Sequence, residues 1–564
     1  MVINEVQSLI QKAALKIGIR APVFVDVPTQ KEYGDFATNI ALKSAGDLKK
    51  KPLVIAQDLI KNIEKGDLIS EVKIIGPGFI NIWVNPDIFM KEVKKLADNT
   101  FTFSPFHFGP EKKVMVEFAH PNTLKLFHIG HMRNISTGES IVRLLEATGN
   151  KVIRSNYQGD VGLHIAKTIW KTNQYIKELG MEKIKALSLR DKIALLGKAY
   201  AEAETAFGSN EKAKKEILEV NKKVYEEDPE TMKMWNETRS WSLFYFNEMY
   251  TRMYSHYDRL YFESECHKRG SAVCAELLKK GLLEKSEGAV IFNGKKYGVD
   301  TRVFVTSQGF PTYEGKEMGL SELEFSEFGK LDKCIHVVTP EQSSFFKVTF
   351  KVEELINSEK YKNKQQHLAY NWVKLKEGKM SSRLGNVIEG SWLIDEAKKK
   401  LQEKFTLDAS TAEILAVASI KYSFLKVSTS MEIFFDFDES ISLEGNSAPY
   451  LIYTYVRTQS ILNKEKLEGG KTASIKMNDD ENQLQRKLNQ YTAVVYESAS
   501  KLSPNILSTY LFELSQLFNL FYQKNPILKS NANTKAMRIM LTRAVGNTVK
   551  HGLNLLGIKT VEKM

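Results

Sequence analysis

The sequence predicts three parts in order: an N-terminal α+β module, a doubly wound α/β domain with a helical insertion, and an all-α C-terminal region. Short extended runs alternate with amphipathic stretches near the start, and a strand–turn–helix pattern begins near residue 112. Helical spacing then prevails after about residue 405. A chain of 564 residues is also too long for one hydrophobic core. We place the three parts at 1–110, 111–395 and 396–564.

The first part combines amphipathic stretches with extended runs. Residues 6–17 and 55–63 have the apolar spacing of helices, whereas 72–75 and 79–84 have the composition of strands. The segment Gly76-Pro77-Gly78 predicts a turn between the two strands.

The second part begins with the pattern of a buried parallel strand followed by a helix. Residues 114–119 form an apolar run interrupted only by Glu117, which suits a strand covered on both faces. A turn with Asn122 follows, and then a helical stripe ends at Gly149. Because residues 151–155 are typical of a next strand, we predict a βαβ beginning and a doubly wound sheet.

The rest of this part continues the same fold. Residues from about 167 to 260 are rich in lysine and glutamate with helical spacing, which predicts a helical insertion. Extended runs return at 289–292, 302–306 and 334–339, and we expect them to complete the sheet.

The clearest helix of the third part lies between two proline signals. Ser503-Pro504 predicts an N-cap and a first-turn proline, and Asn525-Pro526 predicts the stop. The apolar stripe that we expect to face the core consists of Leu507, Tyr510, Leu511, Leu514, Leu517, Phe518 and Phe521.

The charge balance favours a polyanionic partner. Lys and Arg outnumber Asp and Glu by 80 to 68, a formal charge of +12. Basic surface attracts nucleic acid, because each phosphate contact releases counterions. A merely solvated basic surface explains the charge equally well.

Cysteine usage and hydropathy exclude other classes. Cys266, Cys274 and Cys334 include no Cys-x-x-Cys pair, which argues against a disulfide framework and a cysteine-rich zinc site. Glu5 and Gln7 interrupt the apolar start, unlike a signal peptide. No uncharged apolar stretch reaches the roughly 18 residues of a membrane helix. We therefore expect a cytoplasmic protein with no membrane attachment and no metal site of its own.

The segment His128-Ile129-Gly130-His131 lies between the first predicted strand and its helix. With 10 His and 33 Gly in the chain, His-x-Gly-His is expected about 0.01 times by chance. A helix N-terminus offers free N–H groups and a positive dipole end to phosphates. Two imidazoles on adjacent turns add donors for a triphosphate, and Gly130 leaves room for a purine ring. The alternative is two ordinary surface or capping histidines.

A second segment, Lys379-Met380-Ser381-Ser382-Arg383, lies about 250 residues downstream between glycines and predicts a loop. A lysine and a neighbouring cation there would stabilise charge on an α-phosphate during nucleotidyl transfer. Alone the signal is weak, because lysine-serine loops are common. The signal becomes strong when this segment is paired with the first motif, in this order and at this spacing.

Together the two segments resemble the class I aminoacyl-tRNA synthetases, and further stretches resemble the arginyl-tRNA synthetase family in particular. These stretches run through the whole chain: Gly34-Asp35, Gly78-Phe79-Ile80-Asn81, Val116-Glu117-Phe118, Pro121-Asn122-x-x-Lys125-x-x-His128, Gly159-Asp160-x-Gly162, Pro311-Thr312-Tyr313 with Glu317, Glu341-Gln342, Lys379 to Asn386, Ser442 to Tyr450, and Gly552 to Met564.

The resemblance implies a class I Rossmann-like catalytic domain between an N-terminal module that binds the tRNA elbow and a C-terminal anticodon-binding bundle. It implies an arginine–tRNA ligase that uses ATP with Mg²⁺ to form arginyl-adenylate and then loads the 3′ end of tRNA(Arg). The implied partners are L-arginine and tRNA(Arg), and the implied state is a monomer.

The resemblance also assigns residues to the nucleotide. It places ATP at His128, Gly130, His131, Lys379 and Met380. Its catalytic residues are His128, His131, Lys125 and Lys379.

Substrate arginine, by the same resemblance, is held by Glu117, Asn122, Tyr313, Glu317 and Gln342. The chemistry agrees, because a guanidinium presents five donors in a planar fork and needs carboxylate or carbonyl acceptors. A lysine substrate would leave such acceptors unpaired, so no separate editing is needed. The family more often has Asp where this chain has Glu317. Without the motif, Glu117 is typical of an edge-strand carboxylate.

One lysine of the family pattern is replaced in this chain. Many class I enzymes have lysine where Ser382 stands here, and in arginyl enzymes the lysine just upstream of the first motif substitutes for it. That lysine is Lys125, and Arg383 is the alternative cation.

For tRNA, the resemblance places the elbow on Phe79 and Asn81, and the anticodon on Arg457, Tyr522 and Met564. Aromatic rings beside cations suit stacking on splayed bases.

Two other functions remain open at this point. A different class I synthetase, such as the cysteinyl enzyme, would need zinc ligands that are missing from the expected pocket. A non-catalytic tRNA-binding paralogue would not need His128, His131 and Lys379, which are intact.

Overall fold

The computed structural model describes residues 2–28, 30–101, 111–376, 388–465 and 477–564. Its N-terminal part consists of α1 (Val2–Lys16), β1 (Phe36–Thr38), α2 (Ile40–Lys43), α3 (Ala45–Leu48), α4 (Pro52–Asn62), β2 (Ile69–Ile75), β3 (Phe79–Val84) and α5 (Pro86–Ala97). The three strands form an antiparallel sheet in the order β1-β3-β2. Gly76 and Gly78 both have positive φ in the predicted turn between β2 and β3.

The second part contains a five-stranded parallel sheet and the helices that cover it. Its elements are β4 (Lys113–Glu117), α6 (Ile129–Ala147), β5 (Lys151–Gln158), α7 (Leu163–Leu179), α8 (Met181–Lys185), α9 (Leu189–Ser209), α10 (Glu211–Tyr225), α11 (Pro229–Arg252), β6 (Arg259–Phe262), α12 (Glu263–Lys279), β7 (Glu284–Ser286), β8 (Ala289–Phe292), β9 (Arg302–Val305), α13 (Tyr313–Glu327), β10 (Lys333–Val338), α14 (Ser343–Ile356), α15 (Ser358–Tyr361), β11 (Gln365–Ala369) and β12 (Val373–Leu375).

The order of the parallel sheet is β11-β10-β4-β5-β6, so the first strand of this part lies at its centre. Helices α7 to α11 form the predicted insertion between β5 and β6. Helix α6 is buried along most of its length and packs under the sheet, which fixes its N-terminus at the carboxyl edge of β4.

One strand prediction was wrong. The runs at 289–292 and 302–306 do not join the parallel sheet, because β7, β8 and β9 form a separate antiparallel sheet. Glu287 and Gly288 both have positive φ between β7 and β8, as a tight hairpin turn requires. Only the run at 334–339 enters the parallel sheet, as β10.

The third part is almost entirely helical. Its elements are α16 (Gly390–Lys404), α17 (Ala409–Leu425), β13 (Ile433–Phe435), α18 (Phe437–Ser440), α19 (Ala448–Leu462), α20 (Asp479–Asn489), α21 (Tyr491–Ser500), α22 (Pro504–Lys524) and α23 (Ala532–Leu555). The predicted stripe of α22 is buried except for Leu517, which is half-buried. Ser503 does not cap α22, because its hydroxyl donates to the Lys501 carbonyl instead.

The N-terminal module packs on the C-terminal bundle. Asn547 of α23 donates to the carbonyls of Leu96 and Ala97 at the end of α5, at 3.0 and 2.9 Å. Arg486 of α20 lies 2.9 Å from Asp35. Within the described ranges, no helix combines the length and the apolar character needed to cross a bilayer.

Candidate functional site

The loop that follows β4 at the carboxyl edge of the sheet has a strained backbone. Ala119 (φ 84°) and His120 (φ 52°) are both left-handed, a conformation that is costly for non-glycine residues and clusters at functional sites. The Asn134 amide accepts from the Ala119 N–H at 2.7 Å and donates to the Val337 carbonyl at 2.8 Å. Asn156 accepts from the His120 N–H at 3.1 Å. Two buried asparagines therefore hold this loop at the ends of β4 and β10.

The two histidines of the first motif cap helix α6 with their own rings. The Gly130 N–H donates to His128 Nδ1 at 3.1 Å, and the His128 N–H donates to His131 Nδ1 at 3.1 Å. The rings stack with their centroids 3.7 Å apart. Because each Nδ1 accepts, a neutral ring carries its proton on Nε2.

Both rings are neutral at physiological pH. Burial, assisted by the charge of Lys125, lowers the pKa of His128 to about 4 and that of His131 well below its ordinary value. Capping therefore uses one nitrogen of each ring and leaves one N–H donor on each. The capping alternative and the ligand-binding prediction are thus compatible.

Gly130 has a role that the sequence did not reveal. A Cβ at this position would lie 2.9 Å from the His128 ring, so glycine lets that ring fold over the helix end. Space for a purine is an additional prediction for the same residue.

The second motif, with Lys379, Met380, Ser382 and Arg383, lies outside the described residues. The chain that follows it pairs with the first motif. The Ile388 carbonyl accepts from the Ile129 N–H at 2.9 Å, and the Gly390 N–H donates to the Phe127 carbonyl at 2.8 Å. The chain from Ile388 to Gly390 is therefore linked to the N-terminus of α6.

Lys125 lies between the first motif and the helical insertion. Its Nζ is 4.5 Å from the centroid of the Tyr200 ring on α9. Burial lowers its pKa, while the charge of Glu204 opposes that shift. Its charge acts on His128, His131 and His164, so it belongs to the same electrostatic environment.

Two predicted arginine ligands, Glu117 and Glu317, come together in the interior. They are 2% and 3% exposed, and one oxygen of each has no hydrogen-bond partner among the described residues. Burial raises the pKa of Glu317 well above its ordinary value, and the charge of Glu117 adds to this shift. For Glu117, burial acts in the same direction, but the attraction of His336 prevails and lowers its pKa.

Asn122 lies against the Gly159-Asp160 segment at the end of β5. A Cβ at Gly159 would overlap with Asn122 Oδ1, so glycine permits this close approach. Asp160 is fully buried and accepts from the N–H and the hydroxyl of Ser264 at 2.8 and 2.7 Å, and from Arg239 at 2.9 Å. Asp160 therefore connects the end of β5 with the middle of α11 and the start of α12 beside Asn122.

The remaining two predicted arginine ligands lie at the surface. Tyr313 begins α13 and is 58% exposed, one helical turn before Glu317. Gln342 is exposed in the short 3₁₀ turn after β10. The structure thus places the carboxylates in the interior and these two groups at the surface.

Sequence reasoning missed a buried ion pair at this edge. Lys316 is 4% exposed, its Nζ lies 2.8 Å from Glu263, and it is 5.0 Å from the centroid of the Tyr313 ring. Lys316 directly precedes Glu317, so its place in the motif was a usable signal. Nothing in the sequence pointed to Glu263, which is 53 residues away.

The predicted tRNA residues divide into exposed and buried ones. Phe79, Tyr522 and Met564 are 42%, 42% and 37% exposed. Asn81 is buried, and its amide donates to the Tyr33 carbonyl at 2.6 Å, so it holds the module's own fold, and its contact with tRNA stays a prediction. Arg457 lies between two tyrosine rings, 4.7 Å from Tyr453 and 5.1 Å from Tyr522.

The first βα turn of the parallel sheet carries a helix N-terminus that two histidines cap, and the chain after the second motif pairs with this end of the helix. These features define the catalytic domain of a class I aminoacyl-tRNA synthetase. The family model described as "tRNA synthetases class I (R), catalytic domain" matches residues 99–437. "Arginyl tRNA synthetase N terminal domain" matches 4–84, and "DALR anticodon binding domain" matches 451–564. The chain belongs to the arginyl-tRNA synthetase family, which confirms the predicted resemblance and fold class.

Relatives and solved structures agree along the whole chain. An arginine–tRNA ligase of Fusobacterium nucleatum is 30% identical and aligns with 96% of this chain and 95% of its own length. One of Halothermothrix orenii is also 30% identical, with coverage of 96% and 95%. The fold matches Thermus thermophilus arginyl-tRNA synthetase with a TM-score of 0.85 at 22% identity, covering 100% of both chains.

Another class I enzyme is a weaker match. Mycobacterium tuberculosis methionyl-tRNA synthetase has a TM-score of 0.53 at 12% identity, covering 79% of this chain and 91% of that one. The family models, which match the arginyl enzymes in all three parts of the chain, argue against a different class I synthetase.

Proposed function

We propose that this chain is an arginine–tRNA ligase, which activates L-arginine with ATP and transfers it to the 3′ end of tRNA(Arg), releasing AMP and pyrophosphate. The observation that carries the substrate assignment is the pair of buried carboxyl groups, Glu117 and Glu317, each with an unpaired oxygen. A guanidinium supplies the planar donors that such oxygens lack. Asn122, Tyr313 and Gln342 complete the proposed pocket.

The proposed nucleotide site lies at the N-terminus of α6. The Nε2–H groups of His128 and His131 are directed away from the capping bonds and suit phosphate oxygens. Lys379 and Met380 join them in the proposal because the chain after their loop pairs with Ile129. Mg²⁺ arrives with ATP, whose phosphates and water supply its ligands.

The wider setting is also a proposal. The three parts work as a tRNA-elbow module (1–110), a catalytic domain (111–395) and an anticodon-binding domain (396–564). We expect a monomer in the cytoplasm, with tRNA(Arg) lying across Phe79, Arg457, Tyr522 and Met564.

Charging of total tRNA with each of the twenty amino acids in turn tests the function. We expect charging with arginine alone, in a reaction that needs ATP and Mg²⁺. A chain that charges a different amino acid, or that binds tRNA without charging it, would refute the proposal.

Replacing Tyr522 with alanine should raise the KM for tRNA by about 5- to 30-fold, because stacking of one base on an aromatic ring contributes about 1–2 kcal/mol. The KM values for ATP and arginine should not change. Leu520→Ala is the matched control, since Leu520 is a similarly exposed apolar residue of α22. Equal tRNA KM values for the two variants would remove Tyr522 from the tRNA surface.

A further inference from the structure

Four glutamates and one histidine are buried together beneath the loop after β4: Glu117, Glu317, Glu324, Glu353 and His336. Each glutamate has one oxygen with no hydrogen-bond partner among the described residues. Four ionised carboxylates against one cation would be very costly in the interior. Protons or a bound cation must therefore balance this cluster.

His336 lies between two oxygen acceptors. Its Nδ1 is 3.0 Å from Glu117 Oε1, and its Nε2 is 2.9 Å from Gln365 Oε1. The orientation of the Gln365 amide follows from its other bond, in which Nε2 donates to Glu353 at 2.8 Å. Above the pKa of about 7 that burial gives Glu353, this carboxylate can only accept. Both ring nitrogens of His336 must then donate, which makes the ring an imidazolium.

This cation distinguishes Glu117 from the other acids. Burial alone would raise the pKa of Glu117, but the charge and the hydrogen bond of His336 lower it below its ordinary value, with smaller contributions from the charge of His120 and a hydrogen bond with the Glu324 carboxyl group. Burial and the repulsion of neighbouring carboxylates raise the pKa values of Glu317 and Glu324. Of Glu117, Glu317 and Glu324, Glu117 is therefore the ionised one. Its Oε1 is taken by His336, and its Oε2 has no N–H donor among the described residues.

We propose that His336 is a positioning residue for the substrate arginine: held as an imidazolium between Glu117 and Gln365, it keeps Glu117 ionised and leaves Oε2 for the guanidinium. This inference rests on the proposed function, because it names the residue that prepares the proposed pocket. It also explains why a buried cation stands below a site for a cationic substrate. His336 is bonded to Oε1 of Glu117, and Oε2 is the oxygen that the proposal assigns to the guanidinium.

A metal ion is the competing way to balance the charge. Glu324, Cys334 and His336 place three ligand atoms within 4.8 Å of one another. The hydrogen bonds favour balance of the charge by protons, because both nitrogens of His336 already face oxygen acceptors. Cys334 Sγ also lies 3.8 Å from a Glu324 oxygen as a thiol donor, and burial raises its pKa.

His336→Asn tests the inference, since the asparagine amide can still donate to Glu117 but carries no charge. We expect the KM for arginine to rise about 10-fold, with kcat and the KM for ATP within about twofold of wild type. His367→Asn is the matched control. His367 is the register partner of His336 on β11 and packs on the same Phe346 ring, but its Nε2 faces the Val338 carbonyl.

The pH profile separates positioning from packing. Without the cation, burial raises the pKa of Glu117, so its charge is lost as pH falls and arginine binding weakens. Between about pH 8.5 and pH 6.5, the arginine KM of His336→Asn should rise more steeply than that of wild type, by up to about tenfold per pH unit. The charge of His336 also lowers the pKa of Glu317, so its loss raises that pKa further and adds to the steeper rise in the variant. The groups that face Glu117 and His336 are His120, Tyr157, Glu317, Glu324, Cys334, Glu353 and Gln365.

Two measurements on the wild-type protein do not depend on activity. ¹⁵N NMR of histidine-labelled protein at about pH 8 should show both His336 nitrogens protonated. The signals that are absent from the spectrum of His336→Asn identify His336. Metal analysis should find no stoichiometric divalent ion. A neutral His336, or one zinc per chain, would overturn the inference.

The kinetic outcomes distinguish the inference from the proposed function. If the wild-type chain charges arginine but His336→Asn behaves like His367→Asn, the inference alone is wrong. If the wild-type chain does not charge arginine, the proposed function fails and the inference falls with it. Should His336→Asn not fold, Gln365→Leu removes the second acceptor from a half-buried position and should change the arginine KM in the same direction.

Discussion

Replacing Lys125 with alanine should lower the rate of adenylate formation by about 100- to 1,000-fold and leave arginine binding nearly unchanged. Nucleotidyl transfer builds charge on the α-phosphate, and removing one preorganised donor to such charge costs a factor of this size. Lys125 is half-buried and its charge acts on His128 and His131, so water screens this charge only in part. Single-turnover kinetics with saturating arginine and ATP measures the rate.

Two further variants separate this role from a structural one. Lys198 lies on helix α9, the helix that carries Tyr200, and Lys198→Ala removes its cation–π contact with Tyr175. Lys198 is not among the charges that act on His128 and His131. Its rate should stay near wild type. Placing lysine at Ser382, where many class I enzymes have it, should partly rescue Lys125→Ala. A Lys125→Ala rate within about threefold of wild type, or the absence of any rescue, would contradict the substitution model.

Periodicity and turn signals predicted most of the fold, because these signals are local. The run at 114–119 became β4, the stripe before Gly149 became α6, and the run at 151–155 became β5. The error at 289–306 has the opposite cause. An extended run shows that a strand forms, but its partner depends on the connections around it, and the Glu287-Gly288 turn closes a local hairpin.

Motif spacing predicted the ends of the site better than its interior. His128 and His131 lie where the motif placed them, because strand, turn and helix are contiguous there. The burial of Asn81 was not foreseen, because a matching motif does not show which way a strand side chain faces. His336 was missed since it lies 219 residues from Glu117 and meets it only through the pairing of β10 with β4.

Glu317→Gln should lower kcat/KM for arginine by about 5- to 150-fold, because a charge-assisted hydrogen bond to the guanidinium becomes a neutral one. The KM for ATP should barely move, and citrulline, a neutral isostere of arginine, should gain relative to arginine. Glu322→Gln is the matched control, since Glu322 is on the same helix and pairs with Arg269 at the surface. Losses of equal size for ATP and arginine would place Glu317 outside the pocket.

The pH dependence makes the Glu317 prediction sharper. Burial raises the pKa of Glu317, so the empty site holds this carboxyl group protonated, and the guanidinium must displace the proton on binding. Arginine affinity of the wild-type chain should therefore increase with pH. Glutamine resembles the protonated acid and cannot titrate, so the difference in arginine affinity between wild type and Glu317→Gln should be largest at high pH and should narrow as pH falls.

Thermal unfolding should show no loss of stability in the variant, because a buried carboxyl oxygen without a partner is replaced by a neutral group. A pH-independent difference, or a strongly lowered Tm, would mean that Glu317 supports the fold and does not bind the substrate.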